Sequence, residues 1–121
     1  MTPRDAMPMV HVVMWRLLET AQGRTATENA LLMKAELETM RGRIPGMPFL
    51  QVGVDARRRA NSYDVVLICV FDDAEALEAY HDHPDHNAVK PLVQAVRGET
   101  VIVDYPSSVA PTEGLMAAFA S

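Results

Sequence analysis

The chain of 121 residues switches between stretches whose apolar residues recur at every second position and stretches where they recur every three or four, and that change of period sets out its elements. Met9 to Leu17 is rich in β-branched and aromatic residues and predicts a strand with His11, Val13, Trp15 and Leu17 on one face. Thr25-Ala26-Thr27-Glu28 fits a capping box. Ala30, Met33, Leu37, Met40 and Ile44 then mark one face of an amphipathic helix, with Arg41 and Arg43 suited to its C-terminal end. Ile44-Pro45-Gly46 stops that helix, because proline disfavours helical geometry in the residue before it and glycine accepts positive φ. A second strand is expected over about 48–55, a loop over 56–61 and a third strand over 62–71.

Val65 to Val70 is an unbroken apolar series, and since side chains alternate across a strand, both faces of its sheet must be covered. Asp72-Asp73-Ala74-Glu75 caps a second helix carrying Leu77 and Tyr80. Pro84 suits the first position of a further helical segment, which Pro91 is expected to break or kink. Val101 to Tyr105 reads as the fourth strand. The order β-α-β-β-α-β predicts an α+β, ferredoxin-like fold: a four-stranded antiparallel sheet with helices on one face. The helix-free face needs a lid, and a second copy of the sheet is the simplest one, so a homodimer is expected. Residues 1–8 read as an N-terminal extension, 9–105 as the domain and 106–121 as a C-terminal tail.

Composition narrows the functional classes. With 49% hydrophobic and 22% charged residues the chain is an ordinary globular one, and no apolar run approaches the roughly 20 residues that span a bilayer. A net charge of −5 argues against a nucleic-acid surface. Arg57-Arg58-Arg59 is the local exception, a solvated hairpin loop by default. Cys69 is the single cysteine and cannot form an internal disulfide; with no secretory leader at the N-terminus, the expectation is a cytoplasmic protein without membrane association. Cys69, Met33 and Met40 read as core.

The segment Tyr80-His81-Asp82-His83-Pro84-Asp85-His86 holds three of the four histidines. As a string, His-x-His-x-Asp-His matches the zinc-ligand signature of metallo-β-lactamase-type hydrolases. That fold needs about twice this length and further ligands downstream, where this chain has no histidine, so neither metal nor cofactor is expected. A near-neutral imidazole at His86 suits a general base, and the Tyr80 phenol suits a hydrogen-bond donor to a developing oxyanion. His11 shares its strand face with Trp15 and reaches the same pocket if that face meets the second helix. His83, ahead of Pro84, suits a cap; His81 is expected at the surface.

On Val10-His11-Val12-Val13, Ile44-Pro45-Gly46, Ser62 to Leu67, Phe71 with its acidic cap, the Tyr80 to His86 segment and Val101 to Tyr105, the chain resembles the stress-responsive dimeric α/β-barrel family. The resemblance covers about Val10 to Tyr105 and implies two ferredoxin-like sheets closing into a barrel across a homodimer. A plant polyketide cyclase of similar fold, olivetolic acid cyclase, carries a catalytic histidine and tyrosine in a Tyr-x-x-His-Pro-x-His segment and another histidine in its first strand. By that motif the resemblance implies His86, Tyr80 and His11 as catalytic residues; Trp15, on the strand face of His11, and His83 are the candidate substrate-binding residues. The implied function is binding of a small apolar or phenolic ligand, with cofactor-free cyclase, isomerase or lyase chemistry if it is an enzyme. The alternatives are a non-enzymatic stress-responsive binding or structural protein and a cofactor-independent monooxygenase acting on phenolic substrates.

Overall fold

The computed structural model describes residues 7–107. In chain order its elements are β1 (Met9–Leu17), β2 (Thr20–Ala21), β3 (Arg24–Thr25), α1 (Ala26–Glu38), β4 (Phe49–Val54), β5 (Val65–Phe71), α2 (Ala74–Asp82), α3 (Pro84–Val96) and β6 (Arg97–Pro106). Four strands form one antiparallel sheet in the order β4-β5-β1-β6, and β2 pairs with β3 in a separate small ribbon. Apart from the ribbon, this is the expected ferredoxin-like α+β arrangement.

Alternation sorts the sheet residues into two layers. Val13, Trp15 and Leu17 of β1, Leu50 and Val52 of β4, and Val65, Leu67, Cys69 and Phe71 of β5 face the helices. They pack with Ala30, Met33 and Leu37 of α1, Leu77 and Tyr80 of α2, and Val89 and Val96 of α3. The intervening positions line the other face. Cross-strand register there sets Val10 beside Val70 and Tyr105, and Val12 beside Ile68 and Val103. Val10 and Val70 are buried within the sheet, but Val103 is 57% exposed, Tyr105 45% and Met14 37%. An apolar sheet face therefore lies open in the single chain.

Local chemistry explains the ends of the helices, with some departures from expectation. Thr25 and Glu28 form the capping box reciprocally, the Thr25 Oγ1 accepting from Glu28 N and Glu28 Oε1 from Thr25 N. The apolar periodicity predicts a helix to Ile44, but α1 stops at Glu38. Met40 and Ile44 are buried all the same, carried by tight turns through Gly42 at φ +78°. Arg41 does not cap α1 alone: it reaches Glu38 and also the Leu50 carbonyl of β4. Gly46 has φ +73°, and a Cβ there would meet the Ala76 Cβ at 2.8 Å; its carbonyl accepts from Asp72 N at 2.8 Å. The Ile44-Pro45-Gly46 turn thus sets the start of α2, where Asp73 caps by accepting from Ala76 N.

The break expected at Pro91 does not occur, and α3 runs through it to Val96. Pro91 and Asn87 are both exposed, so the missing N–H falls on the solvent side, where water can satisfy the orphaned carbonyl. The last strand is longer than expected, beginning at Arg97 directly after α3 and ending at Pro106. Of the expected tail, residues 108–121 lie outside the described residues, as do residues 1–6 of the extension; Ser107 N donates to the Pro8 carbonyl. Arg57, Arg58 and Arg59 are exposed in the β4–β5 hairpin loop.

Candidate functional site

Strand register and a two-helix corner together build a cluster of rings at one end of the helix-covered face. His11 lies on β1, 3% exposed, opposite Cys69 on β5 and Asp104 on β6. Its Nδ1 meets the Asp104 Oδ1 at 2.5 Å. A carboxylate can only accept, so the proton on this nitrogen points at Asp104 and Nε2 is the free nitrogen.

The last turn of α2 brings Tyr80 and His81 over His11, with ring centroids 5.9 and 5.8 Å from it. His83 then leaves the helix in extended geometry, as the residue before a proline should, and caps α3 by accepting from Asp85 N on Nδ1 at 3.0 Å. One residue therefore joins the two helices. The first turn of α3 returns His86 against Tyr80, with centroids 4.3 Å apart, and against His81 at 5.7 Å. His86 Nδ1 lies 3.2 Å from the His81 carbonyl. A carbonyl cannot donate, so this contact requires Nδ1–H and leaves the Nε2 lone pair as the basic site of the neutral ring.

These groups line a cavity of about 420 Å³ between the sheet and α3. Val13, Trp15, Leu67, Val89 and Val93 give it an apolar wall, and its size is within the range of small-molecule sites. Burial pushes the Tyr80 phenol well above its ordinary range, with the nearby Cys69 thiol adding to the effect, so the hydroxyl keeps its proton. That hydroxyl has no hydrogen-bond partner among the described residues, so its donor is free for a ligand. Burial also lowers the His86 pKa; the His81 carbonyl opposes this, while Lys90, His81 and His11 add to it. His86 is accordingly a neutral base near pH 7.

Of the residues singled out in the sequence, His86, Tyr80, His11 and Trp15 all line the cavity and His83 does not, its ring being engaged at the α3 cap. His81, expected at the surface, is half-buried and lines the cavity, because the end of α2 turns over β1 rather than toward solvent. With His83 turned to its cap, the zinc-like string does not converge, and no group of three or more potential ligands is arranged for a metal among the described residues. Asp104 was missed outright. Its position opposite His11 depends on β6 pairing with β1, which no local pattern reports. Cys69 also faces His11 across the sheet, but burial pushes its thiol up to about 12, which makes it a poor nucleophile.

A model of the stress responsive A/B barrel domain matches residues 9–107. No curated protein sequence matches the chain. Among solved structures, a dimeric ferredoxin-like protein of unknown function from Thermobifida fusca is similar at 22% identity and TM-score 0.73, over 87% of this chain and 95% of the other. A dimeric protein of ferredoxin-like fold from Bacteroides fragilis is 19% identical with TM-score 0.73, over 83% and 96%. The hydroxynitrile lyase of Passiflora edulis is 16% identical with TM-score 0.67, over 85% and 95%. At these identities the likeness concerns the fold. No helix among the described residues is long and apolar enough to cross a membrane.

Proposed function

The chain belongs to the stress-responsive A/B barrel domain family, and from that premise we propose that its cavity binds a small, largely apolar carbonyl or phenolic compound and carries out cofactor-free acid–base chemistry on it, as a cyclase, isomerase or lyase. One observation carries the proposal: a buried tyrosine with a free donor packs against a histidine whose Nδ1 is tied to a main-chain carbonyl, the two rings tilted by 46° with centroids 4.3 Å apart.

In this reading His86 Nε2 removes a proton from the carbon beside a substrate carbonyl. The electron pair of that C–H bond moves into the enolate, and its charge is met at the carbonyl oxygen by the Tyr80 hydroxyl. His11, aligned by Asp104, presents Nε2 to the same space and orients the substrate or shuttles the proton onward. The apolar part of the wall lowers the local dielectric beside the reacting groups, which strengthens the Tyr80 contact. A lyase among the proteins of similar fold supports this class of reaction for the fold without identifying a substrate here.

We further propose a homodimer formed by the open sheet faces, supported by the exposed apolar row on that face and by the dimeric proteins of similar fold. A cytoplasmic setting is part of the proposal; the lone Cys69, buried and reduced, suits it.

Proton abstraction is testable without the natural substrate. In D₂O, benzoylacetone exchanges its central C–H, and NMR follows the loss. The protein is expected to accelerate exchange, His86→Ala to abolish the acceleration, and Tyr80→Phe to reduce it roughly 10- to 1,000-fold as one oxyanion donor is lost. Both variants exchanging at the parental rate, while folded, would sink the assignment.

A further inference from the structure

The charged groups of the cavity all have the same sign. The chain carries 16 Asp and Glu against 11 Lys and Arg, yet no carboxylate lines the cavity; its ionisable wall is His11, Tyr80, His81, His86, Lys90 and Arg97. Asp104 reaches only the far side of the His11 ring, through Nδ1. Elsewhere Lys34 and Arg41 pair with Glu38 and Arg16 lies 3.6 Å from Glu99, while Arg24, Arg43, Arg57, Arg58 and Arg59 form no ion pair among the described residues and do not line the cavity. Lys90 and Arg97 form no ion pair among the described residues. Arg97 makes a single 3.5 Å contact with the Thr100 hydroxyl.

Helix geometry puts the two cations to one side of the reacting groups. Lys90 follows His86 by four residues, one turn along the same face of α3, and Arg97 ends that helix at its C-cap. With a rise of about 1.5 Å per residue, they stand on the order of 6 Å and 16 Å along the axis from His86. Between them the wall is apolar, formed by Val93 with Trp15 and Leu67 beneath. Lys90 and Arg97 are exposed at the cavity rim, so they stay hydrated when the cavity is empty and can meet an anionic group without first being buried.

We propose that the cavity takes an amphipathic organic acid, its carboxylate drawn to the cationic α3 edge that carries Lys90 and Arg97 and its apolar body lying against Trp15, Leu67 and Val93. This rests on the reading above that the cavity is the ligand site, and it adds the substrate class: a monocarboxylate with an apolar body.

Trp15 is the only tryptophan and lines the cavity, so its fluorescence reports occupancy directly. The probes are 4-butylbenzoate and its primary amide 4-butylbenzamide, alike in shape and different in charge, titrated at low ionic strength. The acid is expected to bind about tenfold more tightly than the amide, an advantage that weakens with added salt. In Lys90→Gln/Arg97→Gln the ratio of the two Kd values falls to about one. Equal affinities in the parent protein would overturn the charge assignment while leaving the cavity reading intact, and so would a preference for the acid that survives in the double variant. If neither compound perturbs Trp15, both this inference and the ligand-site reading fail.

Discussion

The His86 ring is oriented by a neighbour five residues back in its own chain: Nδ1 bonds the main-chain carbonyl of His81 at 3.2 Å. Because that partner is backbone, no side-chain substitution at position 81 removes it. The protonation state of His86 is therefore governed by its burial, which lowers the pKa below the ordinary histidine value of about 6.5.

A pH profile should bear this out. The base form of His86 persists to lower pH than an exposed histidine would allow, so proton-exchange activity is expected to stay level from pH 8 down past about 6.5 before its acid limb begins. Stability follows the same sign. The unfolded chain binds the proton more readily, so protonating His86 favours unfolding, and stability falls as pH drops from about 6.5 toward the lowered folded-state pKa. His86→Gln should flatten that part of the melting-temperature curve, and an unchanged slope would count against the assignment.

The Asp104 carboxylate fixes which His11 nitrogen bears the proton. Asp104→Asn can offer an amide N–H in its place and turn the ring to the other tautomer, so the exchange rate should fall by roughly 10²-fold with little change in melting temperature. A rate within a factor of two of the parent would reduce the pair to a structural contact.

The open sheet face should be a subunit interface. Val103 lies beside Val12 and is exposed in the single chain, so Val103→Glu costs the isolated fold little while burying an unpaired charge in a dimer. Light scattering at micromolar concentration should give a dimer for the parent and a monomer for the variant. A monomeric parent, or a dimeric variant, would contradict the proposal.

Gly46 should be nearly irreplaceable. Alanine there adds a Cβ against Ala76 in a backbone conformation that L side chains rarely adopt, and the expected loss is about 1–3 kcal/mol by urea unfolding. Since α2 must shift to relieve the contact, Tyr80 should move with it and the exchange rate should fall. Unaltered stability would show that the turn yields freely.

Period-based reading recovered the elements that bury a face, such as β1 and α2, because burial leaves its mark on the order of residues. It failed where structure is set by partners. β6 begins at Arg97-Gly98-Glu99 with no apolar signal, since an edge strand is held there by main-chain pairing to β1. Tyr80, His86 and His11 stand in a motif and line the cavity; the places of Asp104 and His81 are not legible in the sequence, because one depends on strand register and the other on how the end of α2 rolls over the sheet. Pro91 misled for a similar reason: its cost depends on which side of the helix meets water.

His83 ends one helix and starts the next with nothing between them. An extra residue at this joint would rotate α3 by about 100° relative to α2, carrying His86, Lys90 and Val93 off the cavity together. Over descent, then, the stretch from Tyr80 to His86 can change its letters far more freely than its length. An insertion or deletion there would not adjust the site by degrees but would dismantle it in one step.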